Sequence, residues 1–99
     1  MNVRILTSAF NDLAAGFEFY ERQGEGVGAY FFDSLFSEID SLSIFGGIHG
    51  KTKGFHRLLA RRFPFAIYYK TDSDDSVVVY RVLDCRQDPG EIRRKLKLS

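Results

Sequence analysis

Six cations, Arg57, Arg61, Arg62, Lys70, Arg81 and Arg86, are threaded through a stretch from Phe55 to Pro89 that is otherwise aromatic and β-branched. A guanidinium is a planar fork of donors that matches phosphate or carboxylate, so a sheet face studded with arginines is a surface for phosphate or for an acidic partner. With Tyr68, which sits among them in FPFAIYYKT, these seven residues form the candidate target-binding set. Residue types and spacing assign no catalytic group. His49 and His56 have no cysteine or carboxylate at ligand spacing, so they read as loop and strand histidines, and neither a metal nor a cofactor is expected. Cys85 has no neighbouring histidine to serve as its base and reads as a small residue near a strand end. GEGVG at residues 24–28 does not follow a strand in a βαβ unit, which makes it a helix–helix connection rather than a dinucleotide loop. The basic IRRKLKL run complements the C-terminal end of a helix dipole, with nucleic-acid binding as the other account of it.

The elements that must position these cations are legible from periodicity. FPFAIYYKT and SVVVYRVLD are strand-forming segments on either side of TDSDDS, whose Asp and Ser side chains bond their own backbone, and this predicts a hairpin. FHRLLARR upstream is a third strand. Alternation directs Phe63, Phe65, Ile67 and Tyr69 to one face, with Val78, Tyr80 and Val82 beside them. Ala66, Tyr68, Lys70, Val77, Val79, Arg81 and Leu83 then face outward, and if Leu58 and Ala60 point inward, Arg57 and Arg61 join them. Val3 to Leu6 is a short strand, followed by a helix that Thr7 or Ser8 can cap. Ala9, Leu13, Phe17 and Tyr20 are its apolar stripe, leaving Asp12, Glu18, Glu21 and Arg22 to water. A second helix from Val27 or Gly28 to about Leu42 carries Phe31, Leu35, Ile39 and Leu42 on one stripe. Gly46, Gly47, Gly50 and Gly54 predict a flexible loop bearing Lys51 and Lys53. Asp88, Pro89 and Glu91 are placed as N-cap, first helical residue and capping-box acid of a terminal helix.

Ninety-nine residues make one domain, residues 1–99, able to bury a single core without staples. The segment after Met1 lacks a basic n-region and a long apolar run, predicting neither signal peptide nor membrane span and a cytoplasmic location. The lone cysteine fits a reducing compartment. The formal charge of +1 hides a split. Residues 1–50 hold two basic against seven acidic residues, a net of −5, while residues 51–99 hold twelve against six, a net of +6. That split is either a pair of solvated helices beside an ordinary basic sheet, or a dipolar molecule whose basic face docks an anionic partner.

The element order, Arg61-Arg62-Phe63-Pro64-Phe65 with Ile67-Tyr68-Tyr69, and Val79-Tyr80-Arg81-Val82-Leu83 leading to Arg86, Asp88 and Pro89 resemble the RelE/ParE superfamily of bacterial type II toxins. The resemblance spans nearly the whole chain. Its wording is closer to the ParE branch (plasmid stabilisation system proteins), whose members inhibit DNA gyrase, than to the RelE branch, whose members cleave mRNA on the ribosome. It implies an α+β fold, β-α-α-β-β-β(-α), with a helical hairpin packed on one face of a small antiparallel sheet. It also implies a toxin that arrests growth by binding gyrase and is neutralised by a cognate antitoxin that wraps it, assembled as a homodimer or as a toxin–antitoxin hetero-oligomer. The alternatives are a ribosome-dependent mRNA endoribonuclease, for which the partner is the ribosome with its mRNA, and a non-toxic interaction module of the same fold. Where many ParE-like chains have His and Gly before the last arginine, this chain has Asp84 and Cys85. For the ribonuclease, Arg61 and Arg86 fall at matching places, but Leu59 and Ile92 stand where a basic residue and a tyrosine are expected.

Overall fold

The computed structural model describes residues 1–99. Along the chain run β1 (Asn2–Ile5), α1 (Thr7–Glu21), α2 (Val27–Asp40), a single turn α3 (Leu42–Phe45), β2 (Lys51–Thr52), β3 (Phe55–Leu59), β4 (Phe65–Thr71), β5 (Ser76–Asp84) and α4 (Pro89–Lys97). The five strands form one sheet in the order β1-β5-β4-β3-β2. Its pairs are antiparallel except the first: β1 joins the edge parallel to β5, with Val3 opposite Val77 and Ile5 opposite Val79. The architecture is α+β in the expected order, with the α1–α2 hairpin on one face. No helix is long and apolar enough to cross a membrane.

Helical spacing accounts for the hairpin. Ala9, Leu13, Gly16 and Tyr20 form the buried stripe of α1, and Phe31, Leu35 and Ile39 that of α2. The GEGVG connection is closed by Glu21, whose carboxylate accepts from the Gly28 and Gly26 amides at 2.9 and 3.1 Å and so occupies the donors at the start of α2. Gly28 is required there by close approach: a Cβ at this position would lie 2.6 Å from the Phe17 carbonyl oxygen. The cap expected of Thr7 or Ser8 is not made. Leu6 is the N-cap residue of α1, with no side-chain bond, and the Ser8 hydroxyl instead donates to the Tyr80 carbonyl at 2.7 Å. At the other end Asp88 does cap α4, accepting from Gly90, with Pro89 in the first turn, while Glu91 pairs with Arg94 rather than closing a capping box.

Strand parity holds for β4 and changes midway through β5. Phe65, Ile67 and Tyr69 enter the main core beneath the helices, with Phe63, Leu58 and Ala60 packed against it, while Ala66 and Tyr68 lie in a second cluster on the opposite face. In β5, however, Val77, Val79 and Val82 join the main core, and Tyr80 and Leu83 pack in the second cluster. The expected inward set of Val78, Tyr80 and Val82 is therefore right only at Val82. The cause is a bulge: Tyr68 pairs with Arg81 and Tyr69 with Val79, so Tyr80 is an extra residue and the alternation restarts after it. The second face is not open either. Leu96 of α4 is buried against Phe55, Ala66, Tyr68 and Leu83.

Asp12 holds the bulged segment in place. Beyond Val79, β5 has run past the end of β1, so its outer edge lacks a strand partner. Asp12 of α1 replaces one, accepting from the Val82 amide at 2.9 Å while its two oxygens take Arg81 Nε and Nη2 at 2.8 and 2.7 Å. Arg81 also donates to the Lys95 carbonyl of α4 at 3.4 Å, so one ion pair links helix, strand and terminal helix. Asp12, expected in water, is thus a structural residue, with 13% of its side chain exposed and 16% of that of Arg81.

Two stability tests follow from this packing. Asp12→Ala strands a largely buried guanidinium and a strand amide, and should cost about 3 kcal/mol in chemical denaturation. Phe65→Ala removes a ring packed at a tilt and edge-on against Tyr20 and Phe31 and should cost about 3 to 5 kcal/mol. A loss below about 1 kcal/mol at either position would contradict the packing described.

Candidate functional site

The seven candidate residues do not form one surface. Arg81, expected to point outward, is turned into the Asp12 clasp, and its pKa is raised first by that hydrogen bond. Arg86 lies just beyond β5 and chelates Asp84 through Nε and Nη2 at 3.0 and 2.8 Å, with a longer bond to the Tyr20 hydroxyl. That guanidinium holds the Asp84 carboxyl below the usual carboxylate range. Arg61 and Arg62 are exposed on the β3–β4 connection, where Arg61 pairs with Glu38 of α2 through both its Nε and its amide. The remaining three share the face that α4 partly covers. Lys70 sits 4.7 Å from the Phe55 ring centroid and 5.2 Å from that of Tyr80, a cation–π position. Tyr68, expected exposed, is only 3% exposed. Its hydroxyl accepts from Arg57 Nε at 3.2 Å, and Arg57 Nη2 lies 3.5 Å from Cys85 Sγ.

Arg57 differs from Arg61, Arg81, Arg86 and Arg94, each of which has a carboxylate within 4.0 Å. Arg57 has none, and its partly buried guanidinium is oriented by a phenol and a thiol instead. It lines a groove of about 280 Å³ between the β2–β3 turn and α4, together with Thr52, Lys53, Tyr68, Ile92 and Leu96. The turn itself corrects the expectation of a flexible loop: Lys51 pairs with His56 and Thr52 with Phe55, leaving Lys53 and Gly54 as a two-residue connection with φ of +53° and +84°. Positive φ at both central positions is what a type I′ hairpin turn requires. Lys53, Ile92 and Leu96 were not among the candidates. The KG step inside KTKGFH is the signal for Lys53, whereas nothing local shows that α4 folds back over the sheet. A groove holding an unpaired guanidinium beside aliphatic walls can bind an anion carried on an apolar body.

A second polar cluster lies on the helix side of the sheet. The Tyr69 hydroxyl, on a fully buried ring, accepts from the Gly47 amide at 3.0 Å and is hydrogen-bonded to His49 Nδ1. His56 stacks on the same ring and donates from Nδ1 to the His49 carbonyl at 2.6 Å. These bonds hold the segment between α3 and β2 against the sheet. The pKa of His49 is lowered first by burial and then by His56, against an opposing effect of Glu38.

No protein-family model matches this chain, and no curated protein matches it in sequence. Among solved structures, a chain of the "Chromosomal ParDE TA system from P. aeruginosa" superposes with a TM-score of 0.73 at 17% identity, covering 83% of this chain and 92% of that one. A chain of the toxin–antitoxin complex RelBE2 from Mycobacterium tuberculosis aligns over 82% of this chain and 93% of its own at 23% identity, with a TM-score of 0.47, too low for a shared fold to be read from it. The chain has the fold of the ParDE structure, the fold that its resemblance to the RelE/ParE superfamily implied.

The geometry separates structural from free cations. Arg81→Ala should lower stability by about 3 kcal/mol, as the mirror of the Asp12 substitution, whereas Arg61→Ala, at an exposed pair, should change it by less than about 1 kcal/mol. Melting curves of the two variants check this contrast. His49 titrates below its ordinary value of 6.5 in the folded chain, so protonation favours unfolding. The contribution of His49 to stability should be flat above neutral pH and fall as pH drops below about 6.5 towards the lowered pKa. His49→Gln should flatten that decline, and an equally steep decline in the variant would assign it to other groups.

Proposed function

We propose that this chain is the toxin component of a bacterial type II toxin–antitoxin system, ParE-like, cytoplasmic, inhibiting growth by binding DNA gyrase and neutralised by a cognate antitoxin. The observation that carries the reading is the fold shared with the ParDE structure over most of both chains. The gyrase reading draws support from the state of the residues that match a ribonuclease. Cleavage of RNA through its 2′-hydroxyl needs a base, a donor to the leaving oxygen and cations free for the phosphorane. Arg61 and Arg86 are each tied to a carboxylate, and Ile92 packs against the second apolar cluster where a hydroxyl is expected. Both histidines are engaged with Tyr69, whose ring is in the helix-side core, away from the Arg57 face. Arg57, Arg62 and Lys70 remain as groups able to bind a target, with the buried Tyr68 orienting Arg57.

Exposed apolar side chains support a protein partner such as an antitoxin. Phe10 of α1 lies 6.0 Å from Phe36 of α2 across the helical hairpin, Phe36 lies 4.7 Å from Phe32 one turn away on the same helix, and Phe10 is about half exposed. A contiguous aromatic strip on a small protein is the kind of surface that another chain covers.

Controlled expression in bacteria should arrest growth, and co-expression of a short antitoxin-like reading frame adjacent to the gene should relieve the arrest. Purified protein should inhibit gyrase supercoiling and leave ribosome-bound mRNA intact. Codon-phased cuts in that mRNA with supercoiling unaffected would replace the gyrase reading by the ribonuclease. Unimpaired growth with both machines unaffected would leave the non-toxic module.

A further inference from the structure

We infer that the groove between the β2–β3 turn and α4 is a peptide site in which Arg57 and Lys53 hold an acidic side chain of a protein partner, with flanking aliphatic residues seated on Ile92 over the buried Leu96. This rests on and deepens the target-binding role proposed for Arg57 by naming the chemistry of the partner.

Three observations converge on it. Arg57 is partly buried, lacks a carboxylate and is held in orientation by the Tyr68 hydroxyl and the Cys85 sulfur, so its remaining donors are fixed without being consumed. A fixed fork of this kind loses little entropy on binding and pairs strongly with a carboxylate. The second observation is Lys53, which occupies a position with φ of +53° where glycine or asparagine sits with less strain. The strained residue places an ammonium on the rim of the same groove, and Lys97 lies with it on the adjoining surface beside Leu96. The third is the character and size of the groove. Its walls include Ile92 and Leu96, and about 280 Å³ takes one side chain with its flanking backbone. A nucleic-acid strand calls for aromatic faces on which bases stack, as well as cations spaced along a backbone. The aromatic ring in this groove, Tyr68, is buried beneath α4, with its hydroxyl already bonded to Arg57. One anchored guanidinium among aliphatic walls fits an acidic residue between two apolar ones.

The turn supplies a clean variant. Lys53→Asn removes the ammonium and installs a residue suited to the left-handed position, so the fold should be as stable or more so. The full chain, labelled with ¹⁵N, would be titrated by NMR with three probes at millimolar concentration: acetyl-Leu-Glu-Leu-amide, its Leu-Gln-Leu counterpart and octauridylate. The acidic peptide should shift the amides of Thr52, Ile92 and Leu96 in a saturable way, and the glutamine peptide should bind about tenfold or more weaker. Lys53→Asn and Arg57→Gln should each weaken the acidic peptide by a similar factor, with the melting temperature of Lys53→Asn unchanged or raised. Equal binding of the acidic and neutral peptides, tighter occupancy of the groove by octauridylate, or wild-type affinity in both variants would overturn the inference. The titration needs neither gyrase nor growth. A chain that binds the acidic peptide but spares gyrase retains this site and loses the gyrase reading, and the opposite pattern does the reverse.

Discussion

Asp12 is the point at which three elements become one structure. The parallel edge strand is too short to cover β5, and the bulge at Tyr80 turns the strand just where that cover ends. A strand edge with an unsatisfied amide, next to a largely buried arginine, would otherwise be a weak point. The carboxylate of Asp12 accepts from both, and through Arg81 it reaches the backbone of α4. The position of α4 over the second face, and therefore the groove beneath it, depends on this clasp together with the burial of Leu96. An ion pair that is mostly removed from water contributes less net free energy than its short distances suggest, because both charges had to be desolvated. Its larger effect is selective: any arrangement that separates these partners leaves a charge stranded.

The same sorting governs the rest of the basic half. A count of cations along the sheet strands points to one extended arginine surface, yet Arg61, Arg81 and Arg86 are each neutralised by an acid, two of those acids coming from the helical hairpin. Part of the charge split between the halves of the chain is thus spent internally, holding hairpin to sheet. What remains for a partner is smaller and more specific: Arg57 held by Tyr68 and Cys85, Lys53 on its turn, Lys70 over two rings and Arg62 in solvent. A surface built this way favours recognition of a particular anionic group over indiscriminate binding to polyanions.

Local pattern reached the candidate site only in part. Arg57 and Tyr68 were legible because alternation along FHRLLARR and FPFAIYYKT places both on the same face, and the structure joins them by a hydrogen bond. Lys53 was missed because four glycines nearby suggested looseness, although a lysine followed by glycine between short strand partners is also a hairpin turn. Ile92 and Leu96 were missed as walls because an amphipathic terminal helix does not declare which surface it will cover. Parity failed for Val77 to Tyr80 because counting across a bulge inverts the assignment on one side of it, and nothing in SVVVYRVLD marks the extra residue; Arg81 was misplaced because the Asp12 that binds it lies far away in the sequence.

The sequence by itself determined the order of the main elements, the helical hairpin, the antiparallel run of β3, β4 and β5, and the inward face of β4, because these follow from periods of 3.6 and 2 acting over neighbouring residues. The tertiary structure alone decided the parallel docking of β1, the bulge, the choice of which arginines are neutralised and the closure of the groove by α4. Each of those depends on groups far apart in the chain, such as Asp12 and Arg81 or Glu38 and Arg61, whose meeting is set by the packing of whole elements rather than by any local preference.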